Sequence, residues 1–327
     1  MKNILITGIN GQDGVILTSK LLNVSKDIKI LGTSRTPDLS SFTNKLNIFN
    51  EPKNLDNLEI VDIDFFNTIE LESLVKNFKP DIVFNLTGPS NVNQSIGQED
   101  YYLKHIYLSF KCLVNQLSKI DKKIKFFQAS SSEMYKESTT PLNEQSLLLP
   151  RNPYAIAKYR VKNSIDTNEL NTKNLIFLEG IMFNHDSELR TDNFLIMKII
   201  NNTINIYKKN IKKITVGSLD YIRDWSYAGD IMDAAIKMLE LDSHQAFVMG
   251  SGKGTSIQKL LEITFSEFNL DWNKFVDVDK SLLRKNDPIK IVSDPSKIES
   301  KLGWTTKHSI EEIIQKFIKY KMDLRFS

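Results

Sequence analysis

The sequence predicts an α/β fold, a doubly wound parallel sheet with a smaller C-terminal α/β domain. Short apolar, β-branched runs alternate with amphipathic stretches of helical periodicity, which gives a parallel sheet with helices on both faces. The first of these runs breaks at a glycine turn that leads directly into a helix. A length of 327 residues is enough for one large core or two modest ones.

Residues 3–6 read as a buried parallel strand that stops at Thr7-Gly8; Gly11 and Gly14 follow at three-residue steps. Val15, Ile16, Leu17, Leu21 and Leu22 then fall at helical spacing. Strand, glycine turn and helix form the context of a dinucleotide-binding, Rossmann-type fingerprint. In it Gly8 makes the tight turn, Gly11 lets the backbone approach a pyrophosphate, and Gly14 lets helix and strand pack closely. The helix N-terminus adds free N–H groups and the positive end of a dipole. An ordinary tight turn is the alternative for the glycines taken alone.

Residues 29–34 read as the second strand, which ends at Arg35. An acidic residue there would hold a ribose 2′-hydroxyl, whereas an arginine accommodates a 2′-phosphate. With no carboxylate before Asp38, the pattern favours NADP over NAD, and a solvated arginine is the other reading of Arg35. Further strands are expected at 58–64, 81–87, 123–129 and 174–182, with helices at 68–78 and 101–117 between them. Later come short strands at 214–219 and 246–250, a helix at 256–268 and a final helix reaching about Lys321.

The fifth strand runs into Gln128-Ala129-Ser130-Ser131-Ser132-Glu133. Ligands of such sheets bind outside the carboxyl ends of the strands, so these hydroxyls and this carboxylate face the crevice, although serine followed by glutamate also starts turns and helices. Asn152 can cap the next helix, and Pro153 suits its first position. Tyr154 and Lys158 lie four apart on one face of it. A tyrosine of pKa about 10 needs help to act as a base. A lysine ammonium one turn away and a positive nicotinamide ring favour its phenolate.

Composition narrows the function. The net charge of +3, with no basic stripe interleaved with aromatics, predicts no nucleic-acid partner, and Lys208, Lys209, Lys212 and Lys213 read as a solvated face. Cys112 is the single cysteine, so no intrachain disulfide or thiolate cluster is expected. His105, His185, His244 and His308 lack ligand spacing, and no metal site is expected. Met1 leads straight into the first strand, and no apolar run is long enough to cross a membrane, so the expectation is a cytoplasmic protein without a membrane partner.

Thr7-Gly8-Ile9-Asn10-Gly11-Gln12-Asp13-Gly14, with its G-x-x-G-x-x-G spacing, resembles the extended short-chain dehydrogenase/reductase family, and within it the opening of the GDP-mannose 4,6-dehydratases. The serine-rich strand end with Glu133, the Tyr154/Lys158 pair, Phe183-Asn184-His185-Asp186 and Arg223-Asp224-Trp225 extend the resemblance over nearly the whole chain. It implies cofactor contacts from Gly8, Asn10, Gly11, Gln12, Asp13 and Gly14, from Arg35, from Asp62 and Ile63, from Leu86, Thr87 and Gly88, and from Tyr154 and Lys158. It assigns catalysis to Ser131, Ser132, Glu133, Tyr154 and Lys158, and substrate contacts to Ser90, Asn184, Asn193, Lys198, Arg223, Arg284 and Asp287. His185 reads as structural, and a salt bridge to Asp220 or Asp224 is the alternative role for Arg223. Thr87, Gly88 and Pro89 depart from the family's usual loop, Asp287 stands where it has glutamate, and Ser132 stands where many other nucleotide-sugar dehydratases have aspartate.

The implied reaction acts on a nucleotide-diphosphate sugar, GDP-mannose or a GDP-heptose, by internal hydride transfer and loss of water. Glu133 favours a dehydratase over a 4-epimerase or 4-ketoreductase, and less sharply over a decarboxylase. A regulator that binds dinucleotide without turnover is the reading from another class. The expected domains are an NADP-binding region at 1–182 with 213–245 returning to it, and a substrate-binding region at 183–212 and 246–327. The resemblance also implies a homodimer or homotetramer, with Ser40-Ser41-Phe42-Thr43 similar to a loop that makes tetramers.

Overall fold

The computed structural model describes residues 1–49, 54–170, 172–283 and 287–323. It divides into two compact units, Met1–Tyr135 with Leu147–Met182 and Met232–Phe247, and Lys136–Ser146 with Phe183–Ile231 and Val248–Ser327. The first unit carries β1 (Lys2–Thr7), α1 (Gln12–Val24), β2 (Ile28–Thr33), α2 (Leu39–Leu46), β3 (Leu58–Val61), α3 (Thr68–Phe78) and β4 (Ile82–Asn85). It continues with α4 (Val92–Ser95), α5 (Glu99–Tyr102), α6 (Ser109–Leu117), β5 (Ile124–Ser131), α7 (Pro153–Asp166) and β6 (Leu175–Met182). A π-helical stretch, Leu103–Leu108, joins α5 to α6. There follow β7 (Asn184–Asp186), α8 (Leu195–Tyr207), β8 (Ile214–Val216), β9 (Ile222–Tyr227), α9 (Ala228–Lys237) and β10 (Gln245–Met249). The chain ends with β11 (Gly254–Ser256), α10 (Ile257–Ser266), β12 (Val276–Val278), β13 (Lys290–Ile291), α11 (Ser296–Leu302) and α12 (Ile310–Asp323).

The main sheet has seven strands in the order β10-β6-β5-β4-β1-β2-β3, and the pairings from β6 through to β3 are parallel. Strand order reverses between β1 and β4, the switch point outside which ligands of such sheets bind. Register sets Leu31, Leu5, Val83, Phe126 and Phe177 side by side across five strands. They form one core with Leu71 and Val75 of α3, Phe110 and Leu113 of α6, and Ala157 and Val161 of α7. Burying each large side chain contributes about 2 kcal/mol. Two residues further along the same strands the row turns polar, with Thr33, Thr7, Asn85, Gln128 and Glu179 adjacent and all buried.

In the second unit β9 pairs with β7, β11 and β13, and β8 pairs with β12. Its core joins Ile196, Ile200 and Ile204 of α8, Leu260 and Leu261 of α10, and Ile313 and Phe317 of α12 to Trp225 and Tyr227. Because β9 belongs to this sheet, residues 213–231 lie with the second unit, and the segment lying with the first is 232–247.

Several boundaries differ from expectation for visible reasons. β3 stops at Val61 because Val61 pairs with Thr33, the last residue of β2. β8 stops at Val216, whose partner Val278 ends β12. Ser40, Ser41, Phe42 and Thr43 are helical instead of a loop: the Asp38 side chain accepts from Ser40 N and Ser41 N, and Phe42 is buried. Among the described residues no helix is long and apolar enough to cross a membrane.

Candidate active site

At the end of β1, Gly8 takes φ +71°, the left-handed region open to glycine. A Cβ there would lie 3.0 Å from Leu86 O and 3.1 Å from Thr87 Cα. Gly14 lies against the same turn, where a Cβ would come within 2.4 Å of Ile9 O. The turn is tied to the end of β2, with Gly8 N and Ile9 N both donating to Thr33 O. Asn10 Nδ2 donates to Ser34 Oγ at 2.6 Å and Thr36 O at 2.8 Å, while Asn10 Oδ1 is buried without a hydrogen-bond partner. Gln12 Nε2 donates to Asp13 Oδ1 in the first turn of α1.

Arg35 is exposed just past β2, with Nη1 3.4 Å from Tyr101 Oη. Asp62 is exposed beyond β3, and Ile63 packs against the core. Leu86 and Thr87 are half-buried past β4, and Gly88 and Ser90 are exposed. Gly88 (φ +128°) passes so close to Ile106 that a Cβ would lie 2.8 Å from its Cγ1.

The end of β5 brings the expected hydroxyls, carboxylate and tyrosine–lysine pair into one region. Ser131 and Ser132 are buried, and Ser131 Oγ accepts from Glu133 N at 3.2 Å. Asn152 Oδ1 caps α7 by accepting from Ala155 N at 2.8 Å, and its Nδ2 donates to Glu133 Oε2 at 3.2 Å. The cap therefore joins Glu133 to the turn that carries Tyr154. The Tyr154 ring packs edge-on against Tyr102, centroids 6.4 Å apart, with Lys158 Nζ 5.8 Å from its own centroid. Lys158 Nζ donates to Ala129 O at 2.7 Å. Burial pushes the pKa of Lys158 down to about 8, against the opposing pull of Asp13 and Glu179.

The carbonyl that holds Lys158 is reached by the polar row from the glycine-turn strand. Thr7 Oγ1 donates to Asn85 Oδ1 at 2.7 Å, Asn85 Nδ2 to Gln128 Oε1 at 2.8 Å, and Gln128 Nε2 to Ala129 O at 2.9 Å. Sequence reasoning missed this row and the second bond of Asn152. The signal available was polar side chains at the ends of otherwise apolar strands.

The remaining expected residues lie in the second unit. Asn184 opens β7 opposite Trp225. Asn193 accepts from Thr191 Oγ1 at 2.5 Å in an exposed turn, and Lys198 is exposed with Nζ 3.5 Å from Thr215 O. His185 Nδ1 sits 2.7 Å from Phe183 O, and Arg190 Nη2 donates to the His185 carbonyl. Arg223 is buried on β9. Among the described residues it forms an ion pair with Asp287, 3.2 Å from Nη2, in place of the one expected with Asp220 or Asp224, and Nη1 donates to Ile222 O and Ile289 O. Arg284 lies outside the described residues.

Asp224 is otherwise engaged. At 1 % exposure it accepts five hydrogen bonds, from the N–H and hydroxyl of Ser251, from Gly252 N, and from the N–H and hydroxyl of Ser293. Asp224→Ala would orphan these donors, and the expected loss of stability is about 4 kcal/mol. Denaturant unfolding checks it; a loss below about 1 kcal/mol would show that water replaces the carboxylate.

The family model for GDP-mannose 4,6 dehydratase matches residues 5–317. The chain is 30% identical over 329 residues to GDP-mannose 4,6 dehydratase 2 of Arabidopsis thaliana, covering 98% of this chain and 87% of that one. In fold it is similar to UDP-glucuronic acid 4-epimerase from Bacillus cereus, solved with UDP-glucuronic acid and NAD, at TM-score 0.84 and 19% identity over 98% and 99% of the two chains. It is also similar to RMD from Pseudomonas aeruginosa, solved with NADPH, at TM-score 0.79 and 19% identity over 98% and 99% of the chains.

Proposed function

The chain belongs to the GDP-mannose 4,6-dehydratase family, and on that premise we propose that it converts a GDP-hexose, GDP-mannose first among them, to its 4-keto-6-deoxy derivative with loss of water. The observation that carries this reading is the carboxylate beside the tyrosine–lysine pair, Glu133 joined through Asn152 to the first turn of α7. An epimerase or ketoreductase removes no C5 proton and has no need of it.

A dinucleotide fits the glycine turn, where a Cβ on Gly8 would press on the backbone of Leu86 and Thr87 and Asn10 Oδ1 is a buried acceptor suited to a hydroxyl of the cofactor. Gly8, Gly11, Gln12, Asp13 and Gly14 would line its phosphates at the start of α1, and Asn10, Asp62, Ile63, Leu86, Thr87 and Gly88 its remaining parts. NADP is favoured because Arg35 is exposed past β2 while the next carboxylate, Asp38, is spent on capping α2. The bound cofactor supplies the hydride exchange, away from C4 and back to C6, with no net redox change.

The chain's own groups move the protons. Tyr154 Oη removes the proton of the C4 hydroxyl, and Ser131 Oγ, with Ser132 beside it, holds that oxygen. The ammonium of Lys158 favours the tyrosine's phenolate. Once C4 is a ketone the C5 hydrogen is acidic; Glu133 takes it and protonates the departing C6 hydroxyl, which leaves as water. A solvent proton then returns to C5 through Glu133, and Tyr154 gives up its proton to solvent. Arg223 is the candidate clamp for the diphosphate, and Asn184 would contact the sugar diphosphate. Lys198 and Arg284 would face the nucleotide with Asp287 toward its base, and Ser90 and Asn193 would contact substrate; in the structure Asp287 balances Arg223.

Incubating the purified protein with GDP-mannose and no added cofactor, followed by proton NMR, tests the reading. A C6 methyl doublet with loss of the C4 proton is expected. Its absence, also after NADP⁺ is added, would remove GDP-mannose as substrate.

A further inference from the structure

Glu179 is the single charged residue in the apolar run of β6, 2 % exposed at the inner end of the polar row. Its Oε1 accepts from Ser130 Oγ at 2.5 Å and its Oε2 from Lys162 Nζ at 3.0 Å. Ser130 follows Ala129, whose carbonyl holds Lys158. Lys158 and Lys162 stand one turn apart on α7, so two ammonium groups descend onto neighbouring strands with one carboxylate beside them. Among the described residues the charges that act on Lys158 are Asp13 from α1 and Glu179 from β6, and Tyr154 and Lys162 stand one turn either side of it on its own helix.

Burying a carboxylate among Phe177, Leu178 and Ile181 is costly, and an ion pair alone rarely returns the cost. Lys162 is drawn in with it. Burial pushes its pKa down, yet Glu179 and Asp166 together lift it above the ordinary lysine value. Among the described residues no carboxylate pairs directly with Lys158; it donates to a carbonyl, and the negative field that opposes its burial comes from Asp13 and Glu179.

We propose that Glu179 is a positioning residue, a buried counter-charge that keeps Lys158 an ammonium against Ala129, and that Lys162 tempers this hold by taking up part of the carboxylate's charge. In the reaction proposed above, Glu179 thereby governs how far up the pH scale Tyr154 can be assisted.

The sign of two substitutions separates this role from a merely structural salt bridge. Glu179→Gln removes the negative charge and leaves Lys162 to repel Lys158, so Lys158 loses its proton at lower pH. Lys162→Met removes the positive charge and leaves Glu179 uncompensated, so Lys158 keeps its proton to higher pH. Each shift is expected to be about one pH unit, the low end for a charge near a buried group.

The test is an NMR titration of the full-length protein isotope-labelled at lysine Cε, with the Lys158 signal assigned by its disappearance in Lys158→Met. Opposite shifts support the proposal; shifts of the same sign, or a midpoint that stays in place in both variants, overturn it. Gln can still accept from Lys162 through its carbonyl oxygen and donate to Ser130 Oγ through its amide, and circular dichroism verifies folding. Should Glu179→Gln not fold, Lys162→Met alone decides, a rise supporting the proposal and a fall or no change refuting it. The titration uses no substrate, so it stands whether or not GDP-mannose is turned over. If it is, the alkaline limb of kcat must move down in Glu179→Gln and up in Lys162→Met.

Discussion

Tyr154→Phe is expected to lower turnover of GDP-mannose about a thousandfold, within the usual range for loss of a general base, equivalent to about 4 kcal/mol on the barrier. The ring keeps its edge-on packing against Tyr102, and the Asn152 cap of α7 is unaffected. The variant should therefore fold and retain its cofactor while losing the first proton transfer. Steady-state rates, together with the cofactor released on acid denaturation, check both halves. A variant that kept about a tenth of the parent rate would remove Tyr154 from the chemistry.

Glu133→Gln should lower turnover by a similar hundred- to thousandfold order but at a later step. Asn152 Nδ2 would still find an acceptor oxygen on the glutamine, so the link to α7 survives. Oxidation at C4 by Tyr154, Ser131 and Lys158 remains, while removal of the C5 proton does not. In rapid mixing with GDP-mannose the absorbance of reduced nicotinamide should rise and persist in Glu133→Gln and stay flat in Tyr154→Phe. Identical traces from the two variants would show that Glu133 has no separate step.

The strand and helix rhythm of the first 182 residues was legible because the central strands β4, β5 and β6 are buried on both faces and read as apolar runs. Thr68–Phe78 matches its expected bounds because both ends carry local signals, Asn67 accepting from Glu70 N and Lys79 turning left-handed before Pro80. β9 was hidden because Arg223 and Asp224 look like a surface pair, yet both are buried with their charges met by distant residues. Of the candidate site, the glycine turn and the Tyr154/Lys158 spacing were readable, since each depends on near neighbours in sequence. The pairing of Arg223 with Asp287 and of Glu179 with Lys162 was not, because each partner is set by sheet register or helix docking, which no local pattern encodes.

The charge at Glu179 also couples the pairing of one strand to the docking of one helix. Its two partners come from β5 and α7, the elements that immediately precede β6 in the chain. A β6 strand that joined the sheet before α7 had docked would bury a carboxylate without its cation, at a cost of several kcal/mol. Docking of α7 and pairing of β6 with β5 are therefore thermodynamically coupled, and the lysine that serves the site sits on the same helix that supplies the cation for this strand's carboxylate.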